Sequence, residues 1–187
     1  MLKNLRPFAH LKDVYCIDYE RLYKAGIKGF IFDVDNTLVH HGDEANEKVE
    51  TLFRDLHHIG LKTILLSDNS KERLESFTKN IDCPYIYEAG KPQPHAYYQA
   101  LETLGLKPSE VFYVGDQIFL DILGANRAGI RGILVDFIRI PEVTKLGKKR
   151  YLEKALLLLF SLSKRERLNK ALIIKENDCG KAKKAIL

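Results

Sequence analysis

The feature that most constrains this chain is a repeated alternation of short apolar runs with longer segments whose apolar residues recur every three or four positions. Gly29-Phe30-Ile31-Phe32 is followed by Val49, Leu52, Phe53, Leu56 and Ile59, spaced to line one side of a helix. Thr63 to Leu66 precedes Leu74, Phe77 and Ile81, and Tyr85 to Tyr87 precedes Tyr97, Ala100, Leu101 and Leu104, on a helix whose start Pro92 and Pro94 mark. Val111 to Val114 and Ile133 to Val135 flank a helix expected around Leu120 to Ala128. Uniformly apolar runs suit strands buried on both faces, and strands alternating with helices need crossover connections. The pattern therefore predicts an α/β domain with a mainly parallel central sheet covered on both faces, three layers in all. A chain of 187 residues has room for one such domain. Residues 1–144 are expected to form it, and 145–187 a basic helical extension packed on it or trailing from it.

In sheets of this kind ligands bind beyond the carboxyl ends of the strands. The residues at those ends are polar: Asp33-Val-Asp35-Asn-Thr37 after the first run, Ser67-Asp68-Asn69 after the second, Gly90-Lys91-Pro92 after the third, and Gly115-Asp116 with Asp121 beyond the fourth. An Asp after a strand is commonly a cap or turn former, but four strand ends that converge on carboxylates, a hydroxyl and a lysine suit phosphate chemistry. Hydrolysis of a phosphate monoester is among the slowest uncatalysed reactions, and a carboxylate nucleophile divides it into two easier steps. Asp33 is expected to attack phosphorus, and Asp35 to protonate the leaving oxygen and later take a proton from water. Asp116 and Asp121 offer hard oxygen ligands for magnesium, while Ser67 and Lys91 would hold the phosphoryl group.

Asp33-Val34-Asp35-Asn36-Thr37-Leu38 resembles the D-x-D-x-T-L signature of the haloacid dehalogenase superfamily, and Ser67, Lys91 and Gly115-Asp116-x4-Asp121 resemble its second, third and fourth motifs, in order. The flanks, with Leu-x-Pro near the start, Gly-Ile-Lys-Gly before the first strand, and Val-Gly-Asp-Gln followed by Asp-x-Leu-Gly-x-Asn-Arg, are similar to the small capless subclass IIIA branch of YqeG type. The resemblance runs from about residue 2 to 136. It implies a Rossmann-like fold without a cap domain, a magnesium-dependent phosphatase, Asp33 as nucleophile, and the backbone carbonyl of Asp35 as a metal ligand beside Asp33, Asp116 and Asp121. Two departures are visible, Gln93-Pro94-His95 after Lys91-Pro92, and Asp68 where relatives often carry Asn. Neither touches the chemical core. Related capless enzymes of mitochondria and plastids act as phosphatidylglycerophosphate phosphatases, which makes that phospholipid the expected substrate.

Other readings explain less. Asp33, Asp35, Thr37 and Glu44 imitate the ligand positions of a calcium-binding EF-hand loop, but Leu38 stands where that loop needs Gly. A phospho-receiver domain takes its acidic pair and its acceptor from different strands, whereas Asp33 and Asp35 share one strand end. No G-x-x-x-x-G-K-[ST] or G-x-S-x-G pattern occurs. His57 and His58 cannot jointly ligate a metal from one helix face; His40 and His41, just beyond the first motif, could reach a substrate. Only about ten residues separate the first motif from its helix, so no cap is expected. An open site favours phosphate carried on something bulky, with a soluble metabolite, a protein or a nucleic-acid end as alternatives to lipid.

Charge is distributed unevenly. Residues 145–187 carry 13 Lys/Arg against 4 Asp/Glu, and residues 1–144 carry 17 against 21. Lys148-Lys149-Arg150, the apolar run Ala155 to Phe160, and Lys164-Arg165-Glu166-Arg167 read as a basic helix with an apolar stripe, suited either to an anionic membrane surface or to docking on the domain. A nucleic-acid-binding module could use the same tail but has no need of the four motifs, and no nucleic-acid partner is expected. The cysteines, Cys16, Cys83 and Cys179, are widely spaced, predicting neither a disulfide framework nor a zinc site. With no apolar leader or spanning run, a cytoplasmic protein, peripheral to the inner face of the membrane, is expected.

Overall fold

The computed structural model describes residues 2–138, 148–161 and 164–175. Six strands, β1 (Ala9–Leu11), β2 (Gly29–Phe32), β3 (Lys62–Leu66), β4 (Tyr85–Ile86), β5 (Val111–Gly115) and β6 (Arg131–Val135), form one sheet in the order β1-β6-β5-β2-β3-β4. Every pairing is parallel. The helices are α1 (Tyr19–Lys24), α2 (Glu47–Ile59), α3 (Lys71–Phe77), α4 (His95–Leu104), α5 (Leu123–Arg127), α6 (Lys148–Ser161) and α7 (Lys164–Ile173).

The period-two geometry of a strand sorts the apolar runs onto the two faces. Phe30 and Phe32 of β2 pack with Val49, Leu52, Phe53 and Leu56 of α2 and with Leu74 and Phe77 of α3. Ile31, between them, joins Ala96, Tyr97, Ala100, Leu101 and Leu104 of α4 and Ala125 beyond. The helical faces read from sequence thus cover opposite sides of one sheet. Local signals set their limits: the Asn46 side chain accepts from Val49 N at 3.1 Å to begin α2, and Gly60 ends it at φ 95°, a conformation costly for any residue with a Cβ.

Three features depart from the sequence reading. β1 pairs with β6, with Ala9 opposite Ile133, although a three-residue strand around His10 has no apolar run to announce it. The helix expected around Leu120 to Ala128 begins as a π-helical turn, Ile118–Ile122, before the short α5. Cys16 is disulfide-bonded, and Cys83 is a buried free thiol. No described helix is long and apolar enough to cross a membrane.

Within the stretch expected as an extension, α6 covers the Ile118–Ile122 turn through Leu156 and Leu157, and α7 inserts Ile173 among the residues around Phe30. The Asp18 N–H donates to the Ile173 carbonyl at 2.8 Å. The lysines at 181, 183 and 184 lie outside the described residues.

Candidate active site

Because β3 and β4 lie on one side of β2 while β5, β6 and β1 lie on the other, the strand order reverses between β2 and β5. Such a switch point leaves a crevice at the carboxyl ends of the strands. Asp33 follows β2 and Asp116 follows β5, and both are buried. Asp121, on the π-helical turn after β5, is fully buried beside them. A carboxylate oxygen from each of the three lies within 4.8 Å of the others. Gly115 permits this approach: a Cβ there would stand 2.5 Å from the Asp121 Cγ.

Lys91, delivered by the loop after β4, places Nζ 2.6 Å from Asp33 Oδ1 and 2.8 Å from Asp121 Oδ1. Asp68 holds that loop, accepting from the Lys91 N–H at 3.0 Å, so the departure noted in sequence has a structural task. Thr37 donates to Asp33 Oδ2 at 3.0 Å, and the Tyr113 hydroxyl donates to Asp121 Oδ1 at 2.8 Å. The Gln117 N–H donates to the other Asp121 oxygen at 2.9 Å. Ser67, buried at the end of β3, accepts from the Asn69 N–H at 3.3 Å.

One lysine shared between buried carboxylates leaves negative charge in excess. The Asp33 carboxyl is raised to about 6, by burial first and by the Asp121 charge, against the Lys91 charge and the hydrogen bonds from Lys91 and Thr37 that pull it down. Asp116 is likewise held well above the usual carboxylate range, by burial first and then by Asp121 and Asp33. Burial works against the charged form of Lys91, but its two carboxylate partners outweigh it and keep the ammonium protonated. The arrangement suits a divalent cation: three hard oxygen donors crowd one point, and Asp116 Oδ1 is buried with no hydrogen-bond partner among the described residues.

Asp35 stands apart from this trio in its side chain. It accepts from Asn69 Nδ2 at 2.9 Å and from the Gly42 N–H at 3.3 Å, with His41 Nδ1 2.9 Å away and Arg73 Nη2 at 3.4 Å. Burial acts to raise its pKa, yet these hydrogen bonds and the neighbouring His41 and Arg73 hold it below the usual carboxylate range. His57 and His58 face away, bonded to Thr63 Oγ1 and the Arg54 carbonyl.

Sequence reasoning did not single out Arg73, Tyr113, Arg150 or Glu153. Arg150 of α6 makes a short contact to Asp116 Oδ2, and Nη1 donates to the Asp116 carbonyl at 2.7 Å. In sequence it is one of three consecutive basic residues, with nothing to mark it.

Comparison with known proteins agrees with this geometry. Residues 41–129 match the haloacid dehalogenase-like hydrolase family. The "Probable phosphatase YqeG" of Bacillus subtilis is 34% identical over 137 residues, which cover 72% of this chain and 80% of that protein. A chloroplastic and mitochondrial phosphatidylglycerophosphate phosphatase 1 of Arabidopsis thaliana is 27% identical, over 81% of this chain and 47% of its own. A Legionella pneumophila structure described as a subfamily III A hydrolase of the same superfamily shares the fold, with a TM-score of 0.50 at 18% identity, over 81% of this chain and 94% of that one. A parallel sheet whose switch point gathers Asp33, Asp116, Asp121 and Lys91, together with a YqeG relative matched over most of both chains, establishes that this chain belongs to the haloacid dehalogenase-like hydrolases, as one of their phosphatases.

Proposed function

We propose that this phosphatase is magnesium-dependent, works through a phospho-aspartyl intermediate on Asp33, and acts on phosphatidylglycerophosphate at a membrane surface. The observation that carries the chemistry is the convergence of Asp33, Asp116 and Asp121 on one point, with Lys91 between two of them. Those three carboxylates, with the Asp35 carbonyl, would hold magnesium, which supplies charge neutralisation for the approaching phosphate. An Asp33 oxygen forms a bond to phosphorus as the bond from phosphorus to the substrate alkoxide breaks, and Asp35 gives that alkoxide its proton. In the second step Asp35, now a carboxylate, takes a proton from water while the water oxygen attacks phosphorus, releasing phosphate and restoring Asp33. The hydrogen bonds from Asn69 and Gly42 favour the carboxylate form required there. Lys91 and Ser67 hold the phosphoryl oxygens.

The substrate reading rests on access and on α6. The connections from β2 to α2 and from β4 to α4 carry no inserted domain. The outward face of α6 presents Tyr151, Leu152, Leu158 and Leu159, the last two 70% and 66% exposed, while Arg150, Glu153 and Phe160 turn inward. Lys154 beside that face, and Arg165 and Arg167 on α7, are exposed as well. Apolar side chains rimmed by cations suit an anionic lipid surface, where each Lys or Arg contributes about 1 kcal/mol. This would place the enzyme on the cytoplasmic side, peripheral to the membrane, with the outward faces of α6 and α7 toward the lipid. The Arabidopsis relative, named for the same phospholipid, supports the choice.

Phosphate release from phosphatidylglycerophosphate in vesicles, measured beside a panel of soluble phosphomonoesters with Asp33→Asn as blank, tests the substrate. The lipid should exceed every soluble ester at least tenfold in kcat/KM. A soluble ester that matches it removes the membrane reading and leaves the phosphatase chemistry intact.

Magnesium dependence has a thermal readout. At a hundred times its dissociation constant magnesium should stabilise the protein by about 2.7 kcal/mol, or roughly 5–10 °C in Tm. An acid whose folded-state pKa is raised binds protons more readily when folded, so without metal the Asp33 contribution falls as pH rises from the ordinary value of 3.8 to about 6. Magnesium must displace that proton. The rise in Tm should therefore be largest above pH 7 and shrink below pH 6, and a rise independent of pH would contradict this ligand set.

A further inference from the structure

Helix α6 follows all four motifs, yet its inward face reaches the crevice. We propose that Arg150 is a positioning residue for Asp116: it fixes the carboxylate so that one oxygen is left for the cation, and Glu153 locks the guanidinium in place. The inference rests on the reading that Asp116 helps hold magnesium.

Arg150 grips Asp116 at two points. Nη2 contacts the side-chain oxygen Oδ2, and Nη1 donates to the backbone carbonyl of the same residue at 2.7 Å. A planar guanidinium bridges carboxylate and carbonyl with two nitrogens at a fixed spacing, whereas an ammonium is a single point on a flexible stem and would hold the pair less rigidly. With Oδ2 taken, Asp116 Oδ1, buried and unpartnered among the described residues, is the oxygen available to a cation. A carboxylate free to rotate about its last bond would lose that preference.

Arg150 is itself constrained from two sides. Its guanidinium lies 4.5 Å from the Phe137 ring centroid, and Nη1 also donates to Glu153 Oε2 at 3.2 Å. Glu153 is buried, and its other oxygen accepts from the Ile118 N–H at 2.8 Å and from the Phe119 N–H at 3.3 Å. Ile118 opens the π-helical turn that carries Asp121. One helix thus ties together the backbone of the segment bearing both Asp116 and Asp121. Partners that orient a metal ligand typically carry 10- to 100-fold in metal affinity.

The experiment measures magnesium half-saturation twice on the full chain, by the rise in Tm and by turnover of a soluble phosphomonoester, for wild type, Arg150→Met, Arg150→Lys, Glu153→Gln and Lys79→Ala. Arg150→Met should raise both half-saturation values at least tenfold, with kcat largely recovered at saturating magnesium and substrate KM changed less than threefold. Arg150→Lys should fall between it and wild type, since it keeps the charge and one contact. Lys79→Ala, which removes an exposed charge beyond the end of α3, should match wild type. If Arg150→Met does not fold, Glu153→Gln carries the test with an expected threefold or greater increase. Unchanged half-saturation in the Arg150 and Glu153 variants overturns the proposal, and so does tighter magnesium binding by Arg150→Met, which would make the guanidinium a competitor of the cation. If magnesium fails to shift the Tm of wild type, the failure belongs to the metal reading beneath it.

Discussion

Asp33→Asn should abolish turnover, by at least about 10⁴-fold, without lowering the Tm of the metal-free protein. Loss of a nucleophile is among the largest single effects in enzyme mutagenesis because the remaining groups act only through it. The replacement is nearly isosteric: its one amide oxygen can accept from Lys91 and its NH2 can donate to the Thr37 hydroxyl, the two groups that now bond to separate Asp33 oxygens at 2.6 Å and 3.0 Å. It also removes one of three carboxylates gathered within 4.8 Å, so repulsion in the metal-free site falls. Phosphate release and a melting curve on the same preparation check both halves. Acid-quenched wild type should carry a phosphoryl adduct detectable by mass spectrometry, and the variant should carry none. Turnover within tenfold of wild type would end the covalent mechanism.

Lys91→Met should cost the fold as well as the activity. The ammonium is buried between Asp33 and Asp121, and removing one partner of a buried ion pair leaves uncompensated charge at about 3–5 kcal/mol. For a domain of this size that is roughly 6–20 °C in Tm. Tyr113 and the Gln117 N–H still serve Asp121, which sets the lower end of the range. Magnesium should recover more stability in the variant than in wild type, since a cation replaces part of the missing charge. Melting curves with and without magnesium check this. A drop under 2 °C would mean that the carboxylates share protons and need no cation to balance them, and the electrostatic account of the site would have to be rebuilt.

The strand ends were legible because two local signals coincide there. A fully apolar run such as Val111 to Val114 can be read as a buried strand without knowledge of its neighbours, and the polar residues that follow it, Gly115 and Asp116, sit at its carboxyl end in any parallel arrangement. Asp33, Lys91, Asp116 and Asp121 were singled out on that logic, and the structure brings all four together. β1 escaped because three residues with His10 at the centre are too few to show a run or a repeated alternation, and its existence depends on the edge that β6 offers. Asp68 looked like a departure from pattern until the loop bearing Lys91 was seen to hang from it.

By itself the sequence determined the alternation of strands and helices, a sheet covered on both faces, and the chemical types present at the strand ends. All of these follow from spacings of a few residues, which backbone geometry converts directly into direction. Tertiary structure alone decided which carboxylates share a cation and which do not: the side chains of Asp33 and Asp35, two residues apart, serve different partners, while Asp33 and Asp121, 88 positions apart, share Lys91. It also decided that one arginine from a basic run on α6 closes on Asp116. Contacts of that kind arise where distant segments meet, and charge has no periodicity along the chain from which such a meeting could be read.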